Sequence, residues 1–343
     1  MKLLATTVLV TLVSSLALIA YNEGVFSQRE TFGMRLNRIA SEVNAKNTTW
    51  TAHADGRFAN FKKTDILSKF GTILNGSPED TEHLTSIQFD AVKAAPESFD
   101  SRKNWDNCES IKEIRDQSAC GSCWAFSSVE AMSDRICIFS KGKSQPRISP
   151  TDVLSCCTTC GSGCGGGFPG MAYRYWKRTG IVTGDLYGDK TTCEPYPFKC
   201  GTKDTQPCPP GEGYETPQCD RQCIPEYKTA FNDDKWFGQR VYTAAGATNM
   251  ANEIAKNGPV TAAFTVYEDF TTYQSGIYQH VTGEDMGGHA IKIVGYGVEN
   301  GTKYWIIANS WDYGWGEGGF FRMIRGINDC GIENKIWAGI PKL

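Results

Sequence analysis

The cysteines of this chain are confined to one part of it, and this distribution narrows the possible folds more than any other feature. All fourteen lie within residues 108–330, and the 107 residues before them contain none. Such a density is typical of proteins that fold in an oxidising compartment, where disulfides persist. We therefore expect a disulfide-linked domain, preceded by a segment that has no covalent cross-links.

The N-terminus has the pattern of a secretory signal. Lys2 supplies a positive charge, and residues 3–20 are uncharged and rich in leucine, valine and alanine. This run is about long enough to span a membrane, but its terminal position and the small residue Ala20 before polar Tyr21 favour a signal peptide over residues 1–20. We expect a protein of the secretory pathway, extracellular or lysosomal, that is not membrane-associated once the signal is removed.

Residues 21–94, called the N-terminal segment from here on, are free of cysteine. They are helix-prone over residues 29–43 and loop-like around residues 75–78, which indicates a pro-segment; a small domain that stays attached is the alternative. Glycosylation motifs begin at Asn47, Asn75 and Asn300. The net charge of -3 gives no indication of nucleic-acid binding.

The cysteine-rich part is predicted to contain two halves of different secondary structure. Helical patterns fall within about residues 108–255, including a short helix over residues 171–178. The second half, about residues 256–343, has β-branched and aromatic runs that predict strands at residues 260–267, 276–281, 289–298, 303–308 and 320–325. This arrangement indicates an α+β fold with its site in the cleft between the halves.

Residues 117–126 place two cysteines at the start of a predicted helix. One face of that helix consists of Ala125, Val129, Met132 and Ile136. Ser122 is at the N-cap position, so Cys123 lies in the first turn, where the helix dipole favours the thiolate.

Three interpretations of Cys120 and Cys123 are open at this point. Both could be half-cystines of a binding protein, they could form a thioredoxin-like redox pair, or Cys123 could be a catalytic thiol with Cys120 bridged elsewhere. A zinc site is disfavoured because the thiols of secreted proteins are typically half-cystines.

A catalytic thiol requires a base, and the chain has four histidines: His53, His83, His280 and His289. The first two lie in the segment that we expect to be removed, and the third has an ordinary strand and turn position. His289, between the small residues Gly288 and Ala290 at the head of an apolar strand, is the predicted base, with a structural role as the alternative.

Two amides could complete such a site. Asn309 ends the next predicted strand and could accept a hydrogen bond from the imidazole, shielded by Trp311, although asparagine is also a common turn former. Gln117 could form an oxyanion hole together with the backbone N–H of Cys123.

The sequence Cys-Gly-Ser-Cys-Trp at residues 120–124 is a known signature of the papain-like cysteine peptidases, and the chain resembles that family. It is similar to the cathepsin B-like members at residues 47–52, 111–117, 133–137, 278–284, 298–302 and 338–341. The resemblance implies a papain-like fold with a helical N-terminal lobe and an antiparallel, β-barrel-like C-terminal lobe. It also implies an inhibitory propeptide at residues 21–94 and a peptidase domain at residues 95–343.

The resemblance further assigns roles to residues. Cys123 is implied to be the nucleophile, His289 the acid and base, Asn309 the residue that orients it, and Gln117 the oxyanion donor. The implied substrate-binding residues are Gly166, Gly167, Phe168, Pro169, Ala263, Gly288, Ala290, Trp311 and Lys335. The implied disulfides are Cys108–Cys137, Cys120–Cys164, Cys156–Cys219, Cys157–Cys160, Cys193–Cys223 and Cys200–Cys208, which leaves Cys330 as a second free thiol.

The implied activity is hydrolysis of protein and peptide substrates by a monomer that needs no metal or organic cofactor. Its own propeptide and cystatin-like proteins are the implied inhibitors. An impaired homologue that acts as a binding protein is an alternative, although the three residues Cys123, His289 and Asn309 are all present.

The chain departs from this family in two places. In cathepsin B the loop that matches Cys200–Cys208, within the occluding-loop region 193–223, carries histidines that hold the C-terminal carboxylate of the substrate; here it has none. We therefore predict endopeptidase activity with little or no release of C-terminal dipeptides, because a solvated Lys203 is a poor substitute.

The second departure is in the pocket for the second residue before the scissile bond, where Lys335 stands in place of an acid. This charge reversal predicts that the pocket rejects arginine. The alternative is that Lys335 extends into solvent and leaves an apolar pocket.

Overall fold

The computed structural model of the protein describes residues 30–75 apart from 55, 57 and 59, and residues 84–89, 95–199 and 213–343. The predicted signal peptide, His83, and the loop between Cys200 and Cys208 with its Lys203 lie outside the described residues. The boundary predicted near residue 94 falls at the edge of a described range.

The described helices are α1 (Phe32–Ala45), α2 (Lys63–Leu67), α3 (Ser101–Asn104), α4 (Cys123–Phe139), α5 (Pro169–Arg178) and α6 (Ala247–Asn257). The central helix is α4, which is buried from Cys123 to Cys137. It was predicted to bury one face only. It is buried on all sides because it packs against α5 and against three strands of the sheet, Val260–Tyr267, Asp285–Glu299 and Ile336–Lys342. None of the helices in the described ranges has both the length and the apolar character needed to cross a bilayer.

The strands are β1 (Trp50–Ala52), β2 (Thr85–Ser86), β3 (Phe99–Asp100), β4 (Phe237–Ala244), β5 (Val260–Tyr267), β6 (Tyr273–Tyr278), β7 (Asp285–Glu299), β8 (Thr302–Ala308), β9 (Phe320–Ile324) and β10 (Ile336–Lys342). They form one sheet in the order β1-β6-β9-β8-β7-β5-β10-β4-β2, and β3 pairs with β7. The protein therefore has the expected mixed α+β architecture.

This sheet differs from the antiparallel, barrel-like sheet that we expected. The pairs β6–β9 and β2–β4 are parallel, and the described strands form an open order that does not close. The physical reason lies at the edges: β1 and β2, both from the N-terminal segment, occupy the two ends of the order. Each satisfies backbone groups of an edge strand that would otherwise stay unpaired.

Several elements were missed from the sequence, among them β4, β10 and α6. In β4 the neighbouring residues Gln239 and Arg240 are both exposed, which interrupts the alternation typical of a strand. In β10, Pro341 follows a shift in register, and proline counts against a strand. The strand β4 and the helix α6 both lie in the range assigned to the helical half, so the sheet takes residues from both sides of that boundary.

The apolar core joins the N-terminal segment to the rest of the chain. The buried face of α1 consists of Leu36, Ile39, Ala40 and Val43. It belongs to the same cluster as the sheet residues Phe264 and Phe321 and the tryptophan Trp311. A second cluster surrounds α4 and α5.

Five of the six expected disulfides lie in the described part of the chain, and all five are formed: Cys108–Cys137, Cys120–Cys164, Cys156–Cys219, Cys157–Cys160 and Cys193–Cys223. The sixth, Cys200–Cys208, lies outside the described residues. Among the described residues Cys123 and Cys330 are free thiols. Because Cys120 is bonded to Cys164, it cannot cycle with Cys123 as a redox pair.

Candidate active site

The site begins at the N-terminus of α4, where Cys123 is fully buried. Ser122 precedes the helix, but its side chain does not cap it. Its hydroxyl lies 2.9 Å from that of Tyr196, whose hydrogen is donated to the carbonyl oxygen of Gln117 at 2.8 Å. Ser122 must therefore donate to Tyr196, and its hydroxyl fixes the loop before the helix instead of the helix end.

The thiol of Cys123 is covered by the N-terminal segment. Its Sγ lies 3.1 Å from Oγ1 of Thr72. Burial raises the pKa of Cys123, and hydrogen bonds from Thr72 and from backbone groups oppose this only in part. In this covered state burial therefore opposes the ionisation of the thiol that we expected at the helix N-terminus.

The imidazole of His289 lies on β7 and is also fully buried. Its Nε2 donates to Oδ1 of Asn309 at 2.8 Å, which leaves Nδ1 as the unprotonated nitrogen of the neutral ring. Nδ1 has no hydrogen bond with any described residue. The pKa of His289 is lowered to about 4, chiefly by burial; the bond to Asn309 opposes this shift, and the positive charge of Lys69 contributes to it.

Aromatic rings enclose this imidazole. Trp311 lies with its ring centroid 4.9 Å from that of His289, as expected for a residue that shields the bond to Asn309 from water. Phe70, from the N-terminal segment, contacts His289 and Trp311 at 5.8 Å from each. Phe70 was not predicted, because nothing in its local sequence pattern sets it apart from a core residue.

Gln117 is held beside the thiol by both halves of the chain. Its Oε1 accepts from the hydroxyl of Ser310 at 2.7 Å. Its Nε2 donates to the carbonyl oxygens of Lys69 and Cys120, each at 2.8 Å. Ser310 is therefore a positioning residue that the sequence interpretation missed, although it lies between Asn309 and Trp311, which were both singled out.

The segment over the thiol pairs with backbone as a strand would. Gly167 N–H donates to Gly71 O at 2.7 Å, and Ile73 N–H donates to Gly167 O at 3.1 Å. On the other side Thr72 N–H donates to Gly288 O at 3.0 Å. Two of the predicted peptide-binding glycines thus hold residues 71–73 across the site.

A glycine is required where the segment crosses the site. A Cβ atom on Gly71 would lie 1.7 Å from the carbonyl oxygen of Gly121, and one on Gly121 would lie 2.5 Å from that of Cys164. These backbones are therefore in direct contact.

The predicted side-chain pocket is assembled beside this crossing. Ala263 and Ala290 face each other across β5 and β7 and belong to one apolar cluster with Trp337, against which Phe168 packs. Pro169 begins α5, and Gly166 has a φ of 117° in the turn before it. Lys335 is half-buried, with its Nζ 5.9 Å from the centroid of Trp337.

The other two described histidines are not part of the site. His280 has its Nδ1 3.2 Å from a carboxylate oxygen of Asp269, and its ring stacks on Tyr267 at 3.7 Å. His53 pairs through its backbone with Thr272. No group of three or more histidine, cysteine or acidic side chains suited to a metal occurs in the described part of the chain.

A comparison with protein families matches residues 95–340 to the papain family cysteine protease model. The chain belongs to the papain family of cysteine proteases.

Relatives place this protease more narrowly. It is 46% identical over 312 residues to cathepsin B-like cysteine proteinase 6 of Caenorhabditis elegans, with 88% of this chain and 82% of that protein covered. It is 48% identical over 302 residues to the cathepsin B-like cysteine proteinase of Schistosoma japonicum, with 85% and 86% covered.

Solved structures agree with the fold. The chain matches procathepsin B S9 of Trypanosoma congolense with a TM-score of 0.77 and 37% identity, over 90% of this chain and 97% of that one. A digestive procathepsin L2 of Tenebrio molitor matches with a TM-score of 0.69 at 24% identity, over 94% of each chain. At this identity the match supports the fold alone. This papain-family protease is therefore a cysteine peptidase of the cathepsin B-like kind, similar in structure to a proenzyme.

Proposed function

We propose that the chain is the zymogen of a cysteine endopeptidase that uses Cys123, His289, Asn309 and Gln117. The observation that carries the proposal is that one short stretch of the N-terminal segment contacts Gln117 through Lys69, His289 through Phe70 and the Cys123 thiol through Thr72. Asn309 bonds the same imidazole, so the four residues meet in one buried region. The region lies beneath backbone that pairs with Gly167 and Gly288, the edges expected to bind a peptide.

The chemistry that follows is acyl transfer. With the N-terminal segment removed, Cys123 regains solvent and its proton passes to Nδ1 of His289, the free nitrogen. The thiolate attacks the peptide carbonyl, and the developing oxyanion is bound by Nε2 of Gln117 and the backbone N–H of Cys123. His289 then protonates the leaving amine and activates the water that releases the acyl group.

The N-terminal segment, residues 21–94, is proposed to be the inhibitory propeptide of the peptidase domain at residues 95–343. Three contacts support this: Thr72 at the thiol, the carbonyl of Lys69 at Nε2 of Gln117, and Phe70 against the imidazole. Each occupies a group that the chemistry needs.

The central test is hydrolysis of a quenched fluorescent peptide by the full chain after processing at acidic pH. Cys123→Ala should abolish hydrolysis, whereas Cys330→Ala, the matched change at the other free thiol, should retain it. Equal activity of Cys123→Ala and the unchanged protein would overturn the proposal.

We propose that the enzyme cleaves within chains and releases few C-terminal dipeptides. The support is the absence of histidine between Cys200 and Cys208, where the only basic residue is Lys203, next to the acidic Asp204. A lysine that is solvated and paired with a neighbouring acid is a poor binding group for a substrate carboxylate. Peptides that differ only in a free or amidated C-terminus should be cleaved at similar rates. A strong preference for the free carboxylate would contradict this.

Lys335 is proposed to discriminate against arginine at the second position before the scissile bond. Its ammonium lies over Trp337, in the same cluster as Ala263 and Ala290. Because like charges repel at a partly desolvated site, leucine should be preferred to arginine there by on the order of tenfold. Lys335→Glu should raise cleavage after arginine-containing sequences; an unchanged ratio in this variant would show that Lys335 extends into solvent.

The secretory pathway is the proposed destination, extracellular or lysosomal. Asn47, Asn75 and Asn300 are all exposed, so each is accessible to glycosylation. A glycosidase should increase the electrophoretic mobility of the secreted chain, and loss of all three asparagines should remove that change.

We also expect a monomer that cystatin-like proteins inhibit, which titration of the processed enzyme with such an inhibitor would test.

A further inference from the structure

Lys69 is a buried cation of the N-terminal segment in contact with the catalytic cleft. Only 1% of the residue is exposed. Its Nζ donates to the carbonyl oxygen of Ser118 at 2.6 Å, while its own carbonyl oxygen accepts from Gln117. A lysine head group thus enters the peptidase domain directly beside the proposed oxyanion donor.

The peptidase domain itself orients the acceptor of this cation. Ser118 has a φ of 61°, a left-handed conformation that a residue other than glycine rarely adopts. Its N–H donates to Oδ1 of the buried Asp116 at 2.8 Å. This bond fixes the backbone of Ser118 and holds the Asp116 carboxylate in the same turn, and neither feature belongs to the N-terminal segment.

Burial of an ammonium group is costly unless the surroundings replace its hydration. The segment nevertheless places lysine here, where an apolar side chain of similar length would bury at no such cost. The positive charge of Lys69 also acts on the candidate active site, because it lowers the pKa of His289. The surroundings of the Lys69 head group are therefore suited to a cation.

The position of this site relative to the scissile bond follows from the path of the segment. Thr72 covers Cys123, and Ile73 pairs with Gly167 next to the pocket that contains Ala263 and Ala290. Lys69 lies in the other direction, beyond Phe70, which contacts Trp311. That direction is the side of the leaving group.

We infer that the Ser118 carbonyl and the Asp116 carboxylate form a cation-binding subsite on the leaving-group side of the cleft, which accepts a lysine side chain of the substrate once the N-terminal segment has gone. The inference rests on the proposed peptidase function and adds a preference to it. Asp116 and Ser118 would act as specificity-determining residues.

The direct experiment uses the processed enzyme and quenched peptides with a fixed acyl side. Lysine and norleucine, which has a similar stem without charge, are compared at the first, second and third positions after the scissile bond. Lysine should raise kcat/KM about tenfold at one of these positions, and Asp116→Asn should reduce that ratio towards one. Equal or better cleavage of the norleucine peptides at all three positions would overturn the inference.

A second experiment keeps the inference testable if Asp116→Asn does not fold. In the unprocessed full chain, Lys69→Met is compared with Lys62→Met, which removes an exposed lysine from the same segment. A cation site predicts that only Lys69→Met increases hydrolysis of a small peptide before processing, by about tenfold. Unchanged or lower hydrolysis by Lys69→Met would contradict it, since relief from lysine burial alone would tighten the segment.

The two failures are distinguishable. If the processed enzyme cleaves the norleucine peptides without any preference for lysine, only the subsite is refuted. If it cleaves no peptide at all, the proposed function itself is refuted.

Discussion

The contact between Thr72 and Cys123 places a single hydroxyl group directly against the thiol. Thr72 is buried, its backbone is held by Gly288, and its Oγ1 lies 3.1 Å from Sγ. The hydroxyl therefore has little freedom to turn to another partner. One side chain of the N-terminal segment thus contacts the Cys123 thiol, the proposed nucleophile.

Thr72→Val is expected to weaken this cover while keeping the shape of the side chain. A hydrogen bond of this kind contributes about 1 kcal/mol, so alkylation of Cys123 in the unprocessed chain should speed up roughly fivefold. The rate of labelling by a thiol reagent at neutral pH measures this. Thr64→Val, an exposed change on α2, is the control, and equal labelling of all three proteins would contradict the prediction.

His289 should make the stability of the zymogen depend on pH. Its pKa is lowered by burial to about 4, whereas an unfolded histidine has a pKa of about 6.5. Between these values the unfolded chain binds a proton that the folded chain does not. The free energy of unfolding should therefore fall as the pH drops through this window, by at most about 3 kcal/mol.

Urea unfolding of the Cys123→Ala zymogen at pH values from 7 to 4 would measure this loss. His289→Gln in the same background removes the titrating group and should flatten part of the dependence. An identical slope in both proteins would show that other groups account for it.

At the scale of elements, an ion-pair cluster joins α1 and α2 to the peptidase domain. Nη2 of Arg35 lies 2.8 Å from both Glu268 and Glu284, and Nζ of Lys63 lies 3.3 Å and 2.7 Å from the same two residues. The Glu268 side chain is fully buried. Lys63 and Arg35 lower the pKa of Glu284 to about 2, so moderate acid should leave this carboxylate charged and paired.

Arg35→Met should release the segment more readily, because it removes one of the two partners of a buried carboxylate. Lys63 remains and Arg35 is partly exposed, so we expect processing at a given pH to be faster by on the order of tenfold rather than more. A time course of processing on a gel measures this. Arg38→Met, on the same helix and paired with exposed Glu30, is the control; equal rates for the two variants would contradict the prediction.

The elements also show what could be predicted from the sequence. β5 was predicted with its observed bounds, and β8 and β9 nearly so, because their apolar runs end at glycine, asparagine or charged residues. For β7 the prediction began at His289, whereas the strand begins four residues earlier at Asp285. β4 and β10 lack that regular alternation, since Gln239 with Arg240 and Pro341 interrupt it. Both are strands because they pair with each other, a long-range contact that no local window reveals.

The residues of the candidate site likewise include some that could be predicted from the sequence and some that could not. Cys123, His289, Asn309 and Gln117 were found from chemical requirements and from a resemblance, and they converge. Thr72, Phe70, Lys69 and Ser310 were not, because their roles depend on where the chain crosses itself. A buried lysine is especially hard to predict, since most lysines are exposed.

For the molecule as a whole, Arg135 connects the helical part to the sheet. From α4 it donates to the carbonyl oxygens of Pro259, Gly258 and Gly339 and to the hydroxyl of Tyr242. It also pairs with buried Glu253 on α6 at 2.9 Å. One side chain thus satisfies acceptors from several different elements.

Arg135→Met should therefore destabilise the fold strongly, because it removes the cation that pairs with buried Glu253, to which only the neutral donors Tyr242 and Asn257 would remain bonded, and leaves several buried carbonyl groups without this donor. We expect a loss of roughly 3–5 kcal/mol in the free energy of unfolding, measured by chemical denaturation of the Cys123→Ala zymogen. Lys177→Met, at an exposed position of α5, should change it by less than about 0.5 kcal/mol. A small effect of Arg135→Met would mean that water replaces its contacts.

The contact between Gly71 and Gly121 has a consequence for the evolution of this protein. Any side chain at residue 71 would strike the backbone of Gly121, and any at residue 121 would strike that of Cys164. The first position is needed only while the segment is attached, whereas the second stays beside the nucleophile throughout. A related protein in which Gly71 is substituted should therefore keep its peptidase activity but lose inhibition by the N-terminal segment. Selection should remove substitutions of Gly121 whether or not the segment is retained.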